Sequence, residues 1–376
     1  MSKSKSPQVQ ADQKKTRTPV KTVVIGLFVA LVLLGGMAFG GYLIFNHYYM
    51  LLGSAASDDS ADLSTASQEP DEDFSLEDAT PQEIEAQEAM ILQNWESNKD
   101  KIVFSGDVYN ILLIGSDARD ANNPGRSDTM IIVSVNKKTE QVTLTSIMRD
   151  TYVHIPKVGF NRINAAIVFG GPSRLLETID ENFGIQIDNY VKVDFDAFTQ
   201  LVDLVGGVDV TLTADEIKQI NRSAPASDGT ENEAPTTLLV FKDDDTLYHL
   251  NGKQALAYSR IRYVGNADFE RTERQRDVLT KLIAKAKKLR VAELNALMKV
   301  ALPLVSTNLT RSEMLSLLWN YVTAYNSYDI QSFRIPEDDT YEYLMIDGMS
   351  VLGIDFDKNM EDFRLKIEGA ETSGTN

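Results

Sequence analysis

The chain has 376 residues, of which 43% are hydrophobic, so it is long and apolar enough to form a folded domain with a substantial core. Its formal net charge is −18, which argues against nucleic-acid binding because that function needs basic surface to contact phosphates. It contains no cysteine, which excludes disulfide bonds, cysteine nucleophiles and thiolate metal sites.

Near the N-terminus, residues 23–45 form an apolar run without a charged side chain. As a helix this run reaches about 34 Å, which is enough to cross a bilayer hydrocarbon core of about 30 Å. A cleavable signal peptide is the alternative, but its apolar region is usually only about 7–15 residues long. The sequence therefore predicts a retained transmembrane helix over residues 23–45.

The charges that flank this run predict its orientation. The single acidic residue before it is Asp12, and the basic residues before it are Lys3, Lys5, Lys14, Lys15, Arg17 and Lys21. Because positive charge stays on the cytoplasmic side, residues 1–22 are predicted to be cytoplasmic and the body of the chain extracellular. Gly36 and Gly40 have the spacing that lets two membrane helices pack closely, so a homo-oligomer is one option.

Residues 46–80 are predicted to be an acidic extracellular spacer. From residue 53 onwards this stretch is rich in Ser, Ala, Asp and Glu, and it has too few large apolar side chains to fold by itself. Residues 81–98 then show a helical pattern, with Ile84, Ile91 and Leu92 on one stripe. We assign residues 81–105 to an accessory helical segment at the entrance of the main domain.

From residue 106 onwards, short apolar runs alternate with helical patterns. Strands are predicted at 111–114, 130–135, 142–147, 190–195, 208–212, 330–335 and 350–356, and helices at 163–169, 172–183, 198–205, 252–260, 270–289 and 312–324. Residues 215–245 are polar and are predicted to be a surface insertion. The alternation predicts an α/β fold, an α-β-α layered sandwich with a central mixed sheet. We assign residues 106–365 to this domain and 366–376 to a flexible tail.

Common hydrolase signatures are missing, but charged residues cluster at predicted strand ends. The sequence has no G-x-S-x-G, no H-E-x-x-H and no P-loop. Asp117 follows the first strand, Arg126 and Asp128 precede the second, and Arg149 follows the third. If the first two strands are neighbours, Asp117 and Asp128 can share a hard cation such as Mg²⁺, which prefers oxygen ligands. The alternative is that each is an ordinary turn or capping residue.

A second charged group lies between residues 260 and 275. Arg260 and Arg262 stand at the end of a predicted helix, and Arg271, Arg274 and Gln275 share one face of the next. Guanidinium groups bind phosphate in bidentate fashion, so such a group suits a phosphate ligand. The alternative is a charged helix end whose arginines make surface ion pairs with neighbouring glutamates.

In their order along the chain, these residues resemble the LytR-CpsA-Psr family. Seven ordered motifs covering roughly residues 108–290 carry the resemblance: Asn110-Ile-Leu-Leu-Ile-Gly-Ser-Asp117, Arg126-Ser-Asp-Thr-Met130, Ser146-Ile-Met-Arg-Asp-Thr151, Arg162-Ile-Asn-Ala-Ala166 with Gly170-Gly171, Val193-Asp-Phe195 with Leu204-Val-Gly-Gly-Val208, Leu250-Asn-Gly-Lys-Gln-Ala-Leu-Ala-Tyr-Ser-Arg260-Ile-Arg262, and Arg271-Thr-Glu-Arg-Gln275. The sequence departs from the family pattern at Met148, where proline is usual, and at Arg162, where lysine is common.

The resemblance implies a sandwich that holds a polyprenyl chain in an apolar cavity, with its pyrophosphate at the mouth. It implies Mg²⁺ or Mn²⁺ held by Asp117 and Asp128. We take Asp117, Asp128 and Arg149 as candidate catalytic residues. The candidate pyrophosphate-binding residues are Arg126, Arg149, Arg162, Arg260, Arg262, Arg271, Arg274 and Gln275.

The function that the resemblance implies is that of a metal-dependent phosphotransferase in a Gram-positive-type envelope. It would attach a glycopolymer, of the capsular polysaccharide or wall teichoic acid type, from a polyprenyl pyrophosphate carrier to peptidoglycan. A polyprenyl-pyrophosphate pyrophosphatase and a non-catalytic regulatory or scaffold protein of the cell envelope are the alternatives. The sequence does not distinguish which glycopolymer is transferred or which hydroxyl accepts it.

Overall fold

The computed structural model describes the folded body of the chain. The described residues are 78–98, 107–116, 125–223, 237–262, 267–288, 301–310, 312–314, 316–317, 320 and 327–369. All of them fall in Leu51–Asn376, the second of the chain's two units; Met1–Met50 contains none of them. The predicted membrane helix, residues 23–45, and most of the predicted spacer therefore lie outside the described residues. Within the described part, no helix is long and apolar enough to span a bilayer.

The described residues form alternating helices and strands. The helices are α1 (Pro81–Asn98), α2 (Ala166–Phe183), α3 (Phe195–Leu204), α4 (Ala214–Ser223), α5 (Gly252–Ser259), α6 (Ala267–Ala286) and α7 (Phe356–Glu368), with short 3-10 turns at Ile163–Ala165 and Leu302–Leu304. The strands are β1 (Val108–Ser116), β2 (Ser127–Asn136), β3 (Gln141–Ile147), β4 (Tyr152–Ile155), β5 (Gly159–Arg162), β6 (Asn189–Asp194), β7 (Val208–Thr211), β8 (Leu247–Leu250), β9 (Val305–Thr307), β10 (Asp329–Ile335), β11 (Tyr341–Ile346) and β12 (Met349–Ile354).

Six strands form one central sheet in the order β10-β3-β2-β1-β6-β9. The β1–β6 and β3–β10 pairs are parallel, whereas β1–β2, β2–β3 and β6–β9 are antiparallel. Three hairpins, β4–β5, β7–β8 and β11–β12, lie outside this sheet. The prediction of an α/β fold with a central mixed sheet is confirmed.

Helices cover both faces of the sheet. On one face, Phe333 of β10 packs against Phe363 of α7, with their ring centroids 5.9 Å apart. On the other face, Arg276 of α6 donates a 2.7 Å hydrogen bond to the hydroxyl of Ser146 on β3. Successive residues of a strand point to opposite faces, and Phe333 and Arg334 pair with Thr145 and Ser146, so the two contacts mark opposite sides.

The main core lies on the α7 side and includes helix α1. Ile91 of α1, Phe183 of α2 and Phe356 of α7 are all fully or almost fully buried there. Helix α1, assigned from the sequence to an accessory segment at the entrance of the domain, therefore packs into the main core. Phe183 and Phe356 pack with their rings tilted by 46° and their centroids 5.5 Å apart, which joins the middle of the chain to its C-terminal helix.

A second, smaller core lies on the other side, among helices α3 to α6 and the hairpin β7–β8. Its buried members include Val202, Ile217, Tyr258 and Val278. Helices α3 and α5 approach so closely that a Cβ atom at Gly252 would lie 2.1 Å from the carbonyl oxygen of Thr199. These helices form one wall of the cavity described below.

The segment from Ile163 to Phe183 shows how local sequence fixes structure. The two helical pieces are interrupted at Gly170 and Gly171, and Gly171 has a φ of 62°, which side chains with a Cβ rarely adopt. The second piece ends at Gly184, which takes the left-handed conformation typical of a helix C-terminus. The predicted break and the predicted stop are both confirmed.

The predicted surface insertion at 215–245 is wrong in its first part. Residues Ala214–Ser223 form helix α4, with Ile217 and Ile220 buried in the second core. Glu216 is also buried, because Arg274 neutralises it. Residues 224–236 lie outside the described residues.

The C-terminal part also differs from prediction. Helix α7 runs to Glu368, and Ile367 is 1% exposed, so residues 366–368 belong to the folded body and not to a tail. Strand β11 and helix α7 were not predicted, whereas the strand predicted at 350–356 corresponds to β12. The helix predicted at 312–324 falls on a stretch of which only a few residues are described, and these are helical.

Candidate functional site

A cavity of about 730 Å³ lies between the central sheet and helices α3, α5 and α6. Most of its wall is apolar: Leu113, Ile114, Ile131, Val191, Val193, Phe195, Phe198, Leu201, Leu256, Ala257, Val278, Leu279 and Leu282 contribute to it. A volume of this size is typical of ligand pockets, and an apolar wall suits a hydrocarbon chain. On α6, the apolar side chains of Val278, Leu279 and Leu282 all face this cavity.

Charged and polar side chains also contribute to the cavity wall. They include Asp128 on β2, Arg260 and Arg262 after α5, and Arg271 and Gln275 on the first half of α6. Arg260 is exposed, and its guanidinium lies 4.4 Å from the centre of the Phe195 ring. The structure thus brings together five of the predicted site residues around one apolar cavity.

Asp128 is placed by the antiparallel pairing of β1 and β2. Ser116, the last residue of β1, pairs with Ser127, so the end of β1 and the start of β2 are adjacent. A Cβ atom at Gly115 would lie 2.9 Å from the Cβ of Thr129, so the two strands approach closely here. The first two strands are therefore neighbours, which was the condition set for a cation shared by Asp117 and Asp128. Asp117 lies outside the described residues.

Behind Asp128, a chain of ion pairs runs through Arg149 to Arg162. Nη1 of Arg149 lies 3.0 Å from Oδ1 of Asp128, and its Nε lies 3.3 Å from Oδ2 of Asp150. The other carboxylate oxygen of Asp150 lies 3.4 Å from Nη1 of Arg162. Two guanidinium groups therefore hold Asp150, and Arg149 contacts two carboxylates.

A second set of ion pairs surrounds Asp268 in the first turn of α6. Its Oδ1 lies 2.7 Å from Nη1 of Arg271 and 3.9 Å from Nε of Arg262. Both arginines also line the cavity. Asp268 therefore fixes the side chains of two cavity arginines from behind.

Asp150 and Asp268 have opposite shifts in pKa and form a coupled pair. Burial and the nearby Asp268 raise the pKa of Asp150 above its ordinary value, although Arg149 and Arg162 oppose this. Burial disfavours ionisation of Asp268, but Arg271, Arg149 and Arg262 outweigh it, and a hydrogen bond with Asp150 assists them, so its pKa is lowered. Of the two carboxyls, Asp150 is therefore the weaker acid and Asp268 the stronger.

Burial leaves Arg271 with unused hydrogen-bonding capacity. Its pKa is lowered to about 10 by burial and by the positive charges of Arg149 and Arg262, so it remains a cation at neutral pH. Its Nε is buried and has no hydrogen-bond acceptor among the described residues. Buried donors are normally satisfied, so this atom suits an oxyanion ligand at the cavity wall.

Arg274 and Arg126 are not among the residues that line the cavity. Arg274 instead pairs with two glutamates: its Nε lies 2.8 Å from Oε1 of Glu216, and its Nη2 lies 2.6 Å from Oε2 of Glu270. Of the three residues that were predicted to share a helix face, Arg271 and Gln275 line the cavity and Arg274 does not. Arg126 directly precedes β2 and is partly buried.

Sequence reasoning did not select Asp150, Asp268 or Glu216. Asp150 directly follows Arg149 in the sequence. Asp268 stands three residues before Arg271, a spacing at which side chains on a helix meet. Both pairings could therefore have been predicted from neighbouring residues. Glu216 had none, because its partner Arg274 is 58 residues away in the chain.

The cavity offers a divalent cation one carboxylate among the described residues. Asp128 offers a carboxylate beside the cavity, and oxygen ligands of this kind suit Mg²⁺ or Mn²⁺. Among the described residues, no group of three or more His, Cys, Asp or Glu side chains is close enough to hold a metal. The described residues thus supply one suitable ligand, and the other predicted ligand, Asp117, lies outside them.

Comparison with known proteins identifies the family. The model of the LytR_cpsA_psr family matches residues 74–364, which is most of the chain. The chain belongs to the LytR-CpsA-Psr family. The match begins before α1 and ends within α7, so the family unit includes the helix that the sequence had suggested was accessory.

Among LytR-CpsA-Psr relatives, the chain is 34% identical over 229 residues to a protein of Oceanobacillus iheyensis named polyisoprenyl-teichoic acid–peptidoglycan teichoic acid transferase TagU. The match covers 59% of this chain and 65% of that protein, so the chain spans slightly less than two thirds of the relative's length.

Solved structures of the family have the same fold. The structure of Bacillus subtilis TagV superimposes with a TM-score of 0.53 at 29% identity, covering 71% of this chain and 98% of that one. The structure of Bacillus subtilis TagT bound to LI-WTA superimposes with a TM-score of 0.56 at 25% identity, covering 72% and 94%.

Proposed function

We propose that the chain is a phosphotransferase that moves a glycopolymer, with its phosphate, from a polyprenyl pyrophosphate carrier onto peptidoglycan. The observation that carries the proposal is the cavity, whose wall is mostly apolar and which also presents Arg262, Arg271 and Gln275. A polyprenyl pyrophosphate has the same two parts, a long hydrocarbon and a doubly charged phosphate head. The TagU relative's name describes transfer of teichoic acid to peptidoglycan from a polyisoprenyl carrier, and this supports the substrate class.

The proposed reaction exchanges one phosphate bond for another. A hydroxyl oxygen of the wall glycan attacks the phosphorus that carries the glycopolymer and forms a phosphodiester. The anhydride bond between the two phosphorus atoms breaks, and polyprenyl phosphate leaves. A site carboxylate, Asp117 or Asp128, accepts the hydroxyl proton. The arginines hold and neutralise the phosphate oxygens, because transfer of this kind depends mainly on positioning and electrostatic stabilisation.

Each candidate residue has a proposed part. Arg271 and Arg262 hold the pyrophosphate directly, since they line the cavity and Asp268 fixes their orientation. Arg260 and Gln275 approach it from the same wall. Arg149 acts next to Asp128. Arg162 adds positive charge to the cluster through its ion pair with Asp150. Arg126 adds positive charge at the start of β2.

The metal is part of the proposal. Asp128, together with Asp117, would hold Mg²⁺ or Mn²⁺. A bound divalent cation supplies positive charge that neutralises the pyrophosphate oxygens. Removal of divalent cations with a chelator is expected to abolish transfer, and adding Mg²⁺ or Mn²⁺ is expected to restore it.

We propose further that the protein is a single-pass membrane protein with residues 1–22 in the cytoplasm and the folded body outside. The apolar run at 23–45 and the basic residues before it support this orientation. A lipid-linked substrate and a wall acceptor also require a body located at the outer face of the membrane.

Two other functions remain as alternatives. A pyrophosphatase would use the same cavity and arginines but would transfer the phosphate to water. A scaffold or regulator would need neither the cavity nor the arginines. The burial of so many arginines beside one apolar cavity therefore favours an enzyme over a scaffold or regulator. The acceptor that receives the phosphate distinguishes the first alternative from the proposed function.

The test is to purify the full chain from bacterial membranes in detergent, extract bound lipid and identify it by mass spectrometry. The expected result is a polyprenyl phosphate or pyrophosphate. The protein is then incubated with a polyprenyl pyrophosphate-linked sugar, Mg²⁺ and peptidoglycan oligosaccharide, and sugar phosphate is expected on the oligosaccharide. Release of free sugar phosphate alone would indicate the pyrophosphatase. A protein that carries no lipid and does not react with the donor would contradict both the transferase and the pyrophosphatase.

A further inference from the structure

Three aromatic side chains, Phe269, Tyr341 and Tyr343, form a contiguous group, here termed the aromatic group. The ring centroids of Phe269 and Tyr341 lie 4.7 Å apart, and those of Tyr341 and Tyr343 lie 5.7 Å apart at an interplanar angle of 88°. Phe269 is 3% exposed and anchors the group, whereas Tyr343 is 39% exposed. Tyr341 and Tyr343 lie two residues apart on β11 and so point to the same side of the hairpin.

The aromatic group adjoins the charged cluster of the candidate site. Phe269 directly follows Asp268 in the first turn of α6. Tyr343 pairs across the hairpin with Leu352, and the N–H of Leu352 donates a 2.9 Å hydrogen bond to the carbonyl oxygen of Asp150. Tyr343 is therefore connected to the two carboxyl groups in two ways, to Asp268 through the aromatic group and to Asp150 through Leu352.

The position of the cavity leaves this side of the cluster for a second substrate. None of the three aromatic residues lines the cavity, whereas Arg271, which contacts Asp268, does. In a transfer reaction the attacking group approaches the phosphorus opposite the leaving group. With the lipid phosphate held from the cavity side, the acceptor must approach from another side, and the aromatic group adjoins the cluster without lining the cavity.

The chemistry of the group suits a sugar chain. The C–H face of a pyranose ring is apolar and packs on an aromatic face, while its hydroxyl groups need polar partners; tyrosine offers both. Burial, Tyr341 and the carboxylates of Asp268 and Asp150 raise the pKa of Tyr343 to about 12, so its hydroxyl keeps its proton at neutral pH.

We propose that the aromatic group is the acceptor subsite, where a pyranose ring of the peptidoglycan glycan packs on Tyr343 and so brings its hydroxyl to the charged cluster. This inference rests on the proposed function. It assigns the acceptor a place that is separate from the lipid cavity.

The test uses the full chain in detergent with a polyprenyl pyrophosphate-linked sugar and a peptidoglycan oligosaccharide of defined length. Tyr343→Ala is expected to raise the KM for the oligosaccharide about tenfold, while the KM for the lipid donor stays the same. Tyr343→Trp keeps an aromatic face and is expected to retain the wild-type acceptor KM. Phe241→Ala is the matched control, because Phe241 is also 39% exposed but lies outside the aromatic group.

Binding of the oligosaccharide without donor, measured by calorimetry, separates this inference from the proposed function. If the wild type binds the oligosaccharide through Tyr343 but never transfers to it, the subsite stands and the transferase is refuted. If transfer occurs and Tyr343→Ala changes neither the acceptor KM nor the affinity by more than about twofold, the subsite is refuted and the transferase stands. If the wild type does not bind the oligosaccharide at all, the subsite is refuted as well.

Discussion

Each carboxylate behind the cavity is held by two arginines. Asp268 lies between Arg271 and Arg262, and Asp150 lies between Arg149 and Arg162. The cluster retains an excess of positive charge after its internal pairing, because four arginines (Arg149, Arg162, Arg262 and Arg271) share three carboxylates, those of Asp128, Asp150 and Asp268. A buried excess of positive charge is costly unless an anion binds, so the arrangement is suited to a pyrophosphate.

At the residue scale, Arg271 and Arg274 are expected to differ in their effects although they are neighbours on α6. Arg271→Ala removes a donor at the cavity wall and should lower kcat/KM for transfer about 100-fold. Arg274→Ala leaves Glu216 buried without a guanidinium partner, so the free energy of unfolding should fall by about 3–5 kcal/mol. Steady-state kinetics and urea unfolding of both variants measure these effects.

The control for these two variants is to compare transfer activity per folded molecule. The folded fraction of Arg274→Ala is expected to transfer at nearly the wild-type rate. A 100-fold loss of kcat in fully folded Arg274→Ala would show instead that Arg274 acts on the substrate, as its position in the sequence had suggested.

The lowered pKa of Asp268 predicts a dependence of stability on pH. A carboxylate whose folded-state pKa lies below its unfolded value of about 3.9 stabilises the fold above that pH, and this stabilisation is lost as the pH falls through the folded-state pKa. The wild type should therefore have a higher free energy of unfolding than Asp268→Asn at pH 5, and this difference should decrease as the solution becomes more acidic. Urea unfolding at a series of pH values measures it.

Asp277→Asn serves as the control for this series. Asp277 lies on the same helix, and its partly exposed carboxylate pairs with Lys281, so the substitution should change stability little at any pH. If the difference between the wild type and Asp268→Asn does not vary with pH, the shift assigned to Asp268 is wrong.

The local charges of the site could be predicted, but their pairing could not. Arg149, Arg262 and Arg271 stand out in the sequence as cations at element ends, and the structure places them in one cluster. The direction of Arg274 depends on Glu216, which lies on another helix. Only the tertiary structure decides which of two neighbouring arginines faces the cavity.

At the scale of elements, the contact between α3 and α5 should tolerate no side chain at Gly252. An added Cβ would lie 2.1 Å from the Thr199 carbonyl oxygen, so the two helices would have to separate. Gly252→Ala should lower the free energy of unfolding by about 1–3 kcal/mol, and Gly252→Val should lower it more. Chemical denaturation of the two variants measures this, and a stability equal to the wild type in both would contradict the close contact.

Elements with strong local signals were predictable, whereas those that depend on distant partners were not. The break at Gly170 and Gly171 was readable because glycines interrupt a helical pattern. Helix α4 was missed because just two of its ten residues are large apolar core side chains, and one of its buried side chains is a glutamate neutralised from α6. Strand β11 was missed because its tyrosines and glutamate show no apolar alternation.

At the scale of the whole molecule, filling the cavity should displace the lipid. Leu279 lines the cavity, so Leu279→Trp places a larger side chain in the space proposed for the polyprenyl chain. The amount of polyprenyl lipid that copurifies should fall about tenfold, which corresponds to about 1.4 kcal/mol of binding free energy. Lipid extraction and mass spectrometry, normalised to protein, measure the change.

Ile283→Trp is the matched control for the cavity. Ile283 lies one turn further along α6 and does not line the cavity, so this variant should retain its lipid. Wild-type lipid content in Leu279→Trp would contradict the assignment of the cavity to the hydrocarbon chain.

The central sheet is completed by the last strand that joins it, and this has a consequence for folding. Strand β3 pairs with β10, and the side chain of Asn136 donates a 2.8 Å hydrogen bond to Ile367 O, 231 positions later. Contacts between such distant residues form slowly, because a long loop must close first. Until β10 and α7 have folded onto the sheet, one edge of β3 is exposed and can pair with other chains. A chain that is still being synthesised is therefore at its most aggregation-prone until β10 and α7 are free to fold.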